Sequence, residues 1–137
     1  MESIPESHRE LLAGPYFAAL TTIAPDGIPE NTIVWCSLEG DTILINTTDD
    51  RRKYKNIKEN PNVAVLVLDP EDGYNWIDVR GRVEKITGDP DFANINRHTK
   101  IYTGKDSFYG DIMPAEAAGT HKRVVLHIKP ERVVVSP

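Results

Sequence analysis

The segment Val63–Leu68, with the sequence VAVLVL, most constrains the fold of this chain. Six residues are too few for a stable helix, and the β-branched valines favour an extended backbone. Because both faces of the segment are apolar, we expect it to be a central strand of a sheet. An apolar strand should not be exposed at a sheet edge, which favours a closed antiparallel barrel.

Turn signals divide the chain before this segment. Pro25-Asp26-Gly27 is a tight turn, because proline presets φ and glycine accepts a positive φ. Glu39-Gly40-Asp41 is a second tight turn. Three strands should therefore follow one another as a meander. They are predicted at 16–24, 28–38 and 42–47.

The second half of the chain also has a β pattern. Gly81 lies inside a long predicted strand, where it indicates a bulge or a close backbone approach. Residues 89–121 are the hardest to interpret. We predict strands at 74–87, 123–128 and 133–135, and helices at 7–13 with Ser7 as cap, from Asp49 or Asp50 to 59, and at 91–102.

These elements indicate the fold class. Short helices between six or seven strands do not give the regular β-α alternation of a doubly wound sheet. We predict a mainly β, six- to seven-stranded antiparallel barrel. At 137 residues the chain has the size of a single domain, which we place over 1–137.

Composition excludes several classes of protein. With 21 acidic and 16 basic residues, the net charge of −5 has the wrong sign for a nucleic-acid-binding protein. Cys36 is the one cysteine, so no intramolecular disulfide and no zinc site is expected. No apolar stretch approaches the length of about 18 residues that a membrane helix needs. We expect a soluble, cytoplasmic protein without a membrane partner.

A basic segment stands out in this acidic chain. Five basic residues and no acid lie between positions 51 and 58. Arg51, Arg52 and Lys53 fall in the first turn of a predicted helix, where the macrodipole disfavours a cation by about 0.3–1 kcal/mol each. An anion would compensate for this, and the hydroxyls of Thr47 and Thr48 add donors suited to phosphate. The alternative is a solvated basic face neutralised by nearby carboxylates.

The order of these motifs resembles that of the pyridoxamine-phosphate-oxidase-like flavin and deazaflavin reductases, which have a split β-barrel. The resemblance covers nearly the whole chain. It is strongest in RRKYKNIKENPNVAVLV at 51–67, followed by an aromatic strand and by RGRVE at 80–84. The chain most resembles small proteins associated with the deazaflavin coenzyme F420, while neighbouring branches use FMN.

The resemblance implies a set of cofactor-binding residues. Arg51 and Lys53 would bind the cofactor phosphate, and Asn56 would support that turn. Backbone groups of the second strand would lie along the polar edge of the ring. Trp76 would stack on the ring or pack between subunits. The full predicted set is Asn31, Thr32, Ile33, Thr47, Thr48, Arg51, Arg52, Lys53, Asn56 and Trp76.

The resemblance also implies an activity and an assembly. A flavin or deazaflavin supplies the hydride chemistry, so no catalytic side chain and no metal is predicted. We expect an oxidoreductase that uses F420, or else FMN, with a small conjugated acceptor, and a homodimer with the cofactor between its subunits. F420 continues beyond its phosphate as an acidic tail, which Lys55 and Lys58 would face.

Two other functions fit the same sequence. One is a non-catalytic carrier or sensor of a flavin, a deazaflavin or a tetrapyrrole. The other is a purely structural β-barrel dimer without a ligand. Turnover separates the enzyme from the carrier, and loss of binding in Arg51→Ala or Lys53→Ala separates both from the structural protein.

Overall fold

Seven antiparallel strands form one sheet in the computed structural model of the protein, which describes residues 2–137. The order across the sheet is β2-β1-β5-β6-β7-β4-β3. The predicted mainly β, antiparallel fold is therefore confirmed. The strands are β1 (Ala18–Ile23), β2 (Pro29–Val34), β3 (Ser37–Glu39), β4 (Thr42–Thr48), β5 (Asn62–Asp69), β6 (Asp72–Gly88) and β7 (Arg123–Val135).

Three short helices accompany the sheet. The helix predicted at 7–13 is a 3-10 turn, Glu6–His8, that continues into an α-helix. Ser7 does not cap it, because its hydroxyl pairs with Nδ1 of His8 at 2.8 Å. No helix of residues 2–137 has the length and apolar character needed to cross a membrane. The α-helices are α1 (Arg9–Ala13), α2 (Arg52–Glu59) and α3 (Ala93–Thr103).

The predicted meander and the predicted closure are wrong. The strand expected at 28–38 is divided into β2 and β3, which lie at opposite edges of the sheet. No ladder among residues 2–137 joins the two edges. Only Trp35 and Cys36 separate the two strands, a chain length that spans about 10 Å. The sheet therefore curls until its edges meet at one corner, as an open, split barrel.

Cys36 explains why the strand breaks there. Its side chain is fully buried, and its N–H donates to the hydroxyl of Tyr102 at 2.9 Å. The same hydroxyl lies 3.2 Å from the carbonyl oxygen of Cys36. A side chain of α3 thus replaces a neighbouring strand as the partner of this backbone, so the ladder ends and the chain turns inward.

Both features predicted for Gly81, a bulge and a close backbone approach, are present. The β6–β7 register shifts between Arg80 and Gly81. A Cβ on Gly81 would lie 2.5 Å from the carbonyl oxygen of Lys129. Pro130 pairs with Gly81 at this bulge, so the two strands predicted at 123–128 and 133–135 form one strand, β7.

Strand β5 lies inside the sheet, between β1 and β6, as predicted. Its inward valines, Val63, Val65 and Val67, belong to the core. Its other face carries Leu66 and Leu68, which remain 41% and 46% exposed. The strand is thus apolar on both faces, but only one face is covered within a single chain.

Candidate functional site

A cleft of about 210 Å³ lies where the end of β4 passes into α2. The β4–β7 ladder pairs Thr48 with Arg123, so the last strand begins beside the start of the helix. Parts of β2 and α3 complete the walls. The lining residues are Phe17, Ile33, Val34, Trp35, Asn46, Thr47, Thr48, Arg51, Lys53, Ile95, His98, Phe108 and Arg123.

The start of α2 has no side-chain cap, which corrects the prediction that Asp49 or Asp50 caps it. Arg51 occupies the cap position, with extended backbone angles. The carboxylate of Asp50 accepts a hydrogen bond from Thr48 Oγ1 at 2.5 Å, and this bond is the main cause of its lowered pKa. Its other oxygen lies 3.6 Å from Nδ1 of His121. No carboxylate of α2's own first turn neutralises this helix start.

The cleft is cationic. Arg51, Lys53 and Arg123 line it, and none of the described side chains in the lining is a carboxylate. No ion pair among residues 2–137 includes any of these three cations. Burial, and next the positive charge of Arg51, lowers the pKa of Lys53. The arrangement therefore favours an anion in the cleft.

The guanidinium of Arg123 is held in a fixed position. It donates from Nε to the hydroxyl of Tyr109 and from Nη1 to Oδ1 of Asn46, both at 3.0 Å. It also lies over the ring of Phe108, 4.5 Å from the centroid. These partners are neutral, so the charge of Arg123 stays available to a ligand.

An aromatic wall adjoins this cationic end. The indole of Trp35 stacks on Tyr102, with ring centroids 5.1 Å apart and planes 15° from parallel. Phe108 meets Trp35 edge-on at 6.3 Å. A flat apolar wall beside fixed cations suits a planar ring that carries a phosphate.

His98 of α3 is a buried polar residue of the cleft lining. It is 0% exposed, and its Nε2 lies 2.8 Å from Oγ of Ser37. Its Nδ1 is the one buried side-chain nitrogen or oxygen of residues 2–137 without a hydrogen-bond partner. Burial lowers the pKa of His98 to about 4, so the imidazole is neutral at pH 7. This side of the cleft adds no charge.

Half of the predicted site residues line the cleft: Ile33, Thr47, Thr48, Arg51 and Lys53.

Arg52 and Asn56 lie on another side of α2. Arg52 forms an ion pair with Glu30 at 2.9 Å. Asn56 is buried and donates from Nδ2 to Glu30 at 2.7 Å and to Oγ1 of Thr22 at 3.1 Å. These two residues attach the helix to the β1–β2 hairpin.

The remaining predicted residues lie outside the cleft lining. Asn31 is exposed on β2 and accepts a hydrogen bond from Oγ1 of Thr21. Thr32 is exposed beside it. Trp76 is half-buried on β6, where its backbone N–H donates to Oγ of Ser136 at 3.1 Å. Strand β2 is a sheet edge, so its outer backbone groups have no strand partner among residues 2–137.

Sequence reasoning missed several lining residues. Arg123 reaches the site only because β7 pairs with β4, and no local pattern reveals that pairing. Trp35 follows β2 directly, and no local pattern indicates that it lies near Thr47, Thr48 and the start of α2. The missed residues are Phe17, Val34, Trp35, Asn46, Ile95, His98, Phe108 and Arg123.

Known structures share this fold. A structure described as an F420 reductase is 34% identical, with a TM-score of 0.83, over 96% of this chain and 98% of that one. A conserved hypothetical protein from Mycobacterium tuberculosis is 21% identical, with a TM-score of 0.73, over 99% and 89%. General Stress Protein 26 from Bacillus anthracis is 22% identical, with a TM-score of 0.68, over 96% and 92%. No curated protein matches significantly.

The family model described as pyridoxamine 5'-phosphate oxidase matches residues 4–136, nearly the whole chain. This match confirms the resemblance drawn from the sequence, and the chain belongs to the pyridoxamine 5'-phosphate oxidase family.

Proposed function

We propose that the protein is an oxidoreductase that binds F420, or else FMN, in the cleft and transfers hydride to or from a small conjugated organic acceptor. One observation carries this proposal: three cations, Arg51, Lys53 and Arg123, line the cleft beside an uncapped helix start. The similarity to a protein described as an F420 reductase supports F420 as the first choice.

The start of α2 would bind the phosphate. Lys53 is partly desolvated and lies close enough to Arg51 for its pKa to fall, so a dianion between them would relieve their repulsion. The backbone N–H groups of this uncapped helix start would add further donors to the phosphate. Charge-assisted hydrogen bonds of this kind contribute about 1.5–3 kcal/mol each.

The ring would lie between the aromatic wall and strand β2. When bound, the cofactor supplies the hydride chemistry. Ile33 and Val34 of the edge strand line this part of the cleft, and the outward-facing backbone groups of that strand can hydrogen-bond the polar rim of a planar ring. Trp35 and Phe108 would exclude water from the ring. The protein's role is then to hold, orient and shield.

We also propose that a second copy of the chain covers the cleft. An apolar patch, formed by Phe17, Ala19, Ile33, Leu66, Leu68 and Pro70, surrounds a hollow of about 270 Å³. Phe17 and Ile33 belong to both the patch and the cleft, and they are 64% and 68% exposed. A patch of large exposed apolar side chains is typical of a protein interface. A homodimer would bury it and close the cleft.

The dimer is tested by the size of the protein in solution. Leu68→Asp should give monomers by sedimentation and should weaken cofactor binding, because a buried unpaired charge opposes association. Ile28→Asp is the matched control, since Ile28 is 60% exposed but lies outside the patch. A monomeric wild type, or monomers from both variants, would contradict this interface.

The cofactor is tested by fluorescence titration with F420 and with FMN. Wild type should bind F420 more tightly than FMN, and Lys53→Ala should weaken the binding of both by at least about tenfold. Arg52→Ala is the matched control, because Arg52 pairs with Glu30 instead of lining the cleft. Failure of both ligands to bind would overturn the proposal.

A carrier of the same cofactor remains the second candidate. It is favoured by the cleft lining, in which the described ionisable groups are three cations and a neutral histidine, with no acid–base pair. An enzyme should oxidise the reduced cofactor faster when the acceptor is present. A carrier should slow that oxidation with every acceptor tried.

A further inference from the structure

A second cavity adjoins the cleft and shares Arg123 with it. It measures about 460 Å³ and lies between the loop before α3 and the residues that lead into β7. Three consecutive basic side chains, His121, Lys122 and Arg123, line it. Since Arg123 also lines the cleft, ligands in the two cavities would share a single guanidinium.

One carboxylate, that of Asp89, lines this cavity against the two cations Lys122 and Arg123, while His121 lies 3.6 Å from Oδ2 of Asp50. Asp89 is 4% exposed, and its oxygens accept hydrogen bonds from the backbone N–H groups of Asn94 and Ile95, each at 3.0 Å. They also accept one from Nδ2 of Asn46 at 3.0 Å. The carboxylate is thus engaged in starting α3. Neither Lys122 nor Arg123 takes part in any ion pair of residues 2–137.

Arg123 keeps donors free for a second anion. Its two hydrogen bonds, to Tyr109 and Asn46, use two of the five N–H groups of a guanidinium. Tyr109 in turn packs against Phe92, with ring centroids 5.0 Å apart. Phe92 is the one non-glycine residue of residues 2–137 with a positive φ, 63°. A strained backbone therefore holds the ring of Phe92 against Tyr109, the residue that accepts a hydrogen bond from Arg123.

Resting on the proposed function, we propose that this second cavity binds a carboxylate that lies next to the ligand of the cleft. The carboxylate has two possible sources: the acidic tail of F420, or a free carboxylic acid that acts as the acceptor. Lys55, one of the two lysines predicted to face the tail, lines a different hollow together with Arg52 and Glu30. If the tail is the source, the basic cavity beside Arg123 would bind it instead of Lys55.

A direct test uses γ-glutamylglutamate as the probe and the amide NMR spectrum of the whole protein as the readout. Saturable shifts should appear at residues 88–92 and 119–123. Lys122→Ala should weaken this binding about two- to fivefold, the size of an exposed ion pair. Lys129→Ala, which removes an exposed lysine from the middle of β7, should leave it unchanged. The absence of saturable shifts there, or an equal effect of both variants, would overturn the proposal even if the cleft binds no cofactor.

The two sources are separated by competition. If the tail occupies the cavity, F420 with its glutamates should abolish the dipeptide shifts, and Lys122→Ala should weaken F420 but not FMN. If a free acid occupies it, the dipeptide should still bind to the F420 complex. When F420 and Lys53→Ala behave as the proposed function requires but Lys122→Ala and the dipeptide have no effect, the carboxylate site alone is refuted.

Discussion

The two longer helices of the protein begin in opposite ways. Helix α3 starts at the carboxylate of Asp89, which accepts the backbone N–H groups of Asn94 and Ile95. Helix α2 starts at Arg51, with no side-chain cap and no acid in its first turn. One helix start is therefore satisfied inside the chain, whereas the other combines cations with uncapped N–H groups.

We infer from this difference that the start of α3 serves stability and that the start of α2 serves ligand binding. Asp89 stabilises α3, whose side chains form the neutral wall of the cleft. The start of α2 has positive charge from its dipole and from its side chains, and an anion from outside the chain would satisfy both. The comparison predicts that changes at α3 lower stability, while changes at the α2 cations act on binding.

The largest expected effect is on acid stability. Burial lowers the pKa of His98 from 6.5 to about 4, so the unfolded chain binds this proton more readily than the folded one. Stability should fall as the pH drops through this window, by about 3 kcal/mol for this group. Urea unfolding at pH 7 and pH 4 should show wild type losing more than His98→Gln. Equal losses of stability in wild type and His98→Gln would show that burial does not hold His98 neutral.

Removing the carboxylate that accepts the first N–H groups of α3 should have the next largest effect. Asp89→Ala leaves two amide N–H groups without their acceptor and should lower the free energy of unfolding by about 2 kcal/mol. Asp50→Ala is the control, because Asp50 is exposed and does not cap α2. Thermal or urea unfolding measures both. The comparison between the helix starts would fail if Asp50→Ala were equally costly.

Of the two α2 residues that contact Glu30, Asn56 should contribute to stability and Arg52 should contribute little. Asn56→Ala removes two hydrogen bonds from a buried amide and should lower the free energy of unfolding by about 1–2 kcal/mol. Arg52→Ala removes an exposed ion pair and should cost less than about 0.5 kcal/mol. A larger cost for Arg52→Ala in urea unfolding would show that the basic segment serves structure.

The smallest expected effect on stability is that of replacing Lys53 in the protein without ligand. Lys53→Met removes a cation from the first turn of α2 and should raise the free energy of unfolding by about 0.3–1 kcal/mol. The folded pKa of Lys53 lies below its ordinary value, so wild type, but not the variant, should gain stability as the pH rises through that pKa. A loss of stability in Lys53→Met would mean that the cation is already neutralised inside the chain.

Local patterns predicted most of the strands and helices, but not the order of the strands in the sheet. The VAVLVL strand, the turns and the Gly81 bulge depend on neighbouring residues, so the sequence reveals them. The break at Cys36 depends on a hydroxyl from Tyr102, 66 residues further on, and so does the separation of β2 from β3. The start of α2 was expected to be capped because Asp49 and Asp50 have the right type and position, but Asp50 pairs with Thr48 instead.

Some residues of the site were also evident from the local sequence, and others were not. The cations Arg51 and Lys53 are neighbours in sequence, so their charge pattern indicated an anion site. Arg52 lies between them, but the helix turns its side chain towards Glu30, a partner 22 residues away. Arg123 enters the cleft only through the pairing of β7 with β4. Contacts between distant strands cannot be inferred from one sequence.

The most direct test compares two ligands that differ only in a phosphate: the deazaflavin chromophore with its ribityl chain, and the 5'-phosphate of that compound. Wild type should bind the phosphorylated compound about 100-fold more tightly, as expected for two charge-assisted contacts. This preference should fall at least about tenfold in Lys53→Ala and stay unchanged in Arg52→Ala. Equal affinity of wild type for the two compounds would contradict a phosphate site at the start of α2.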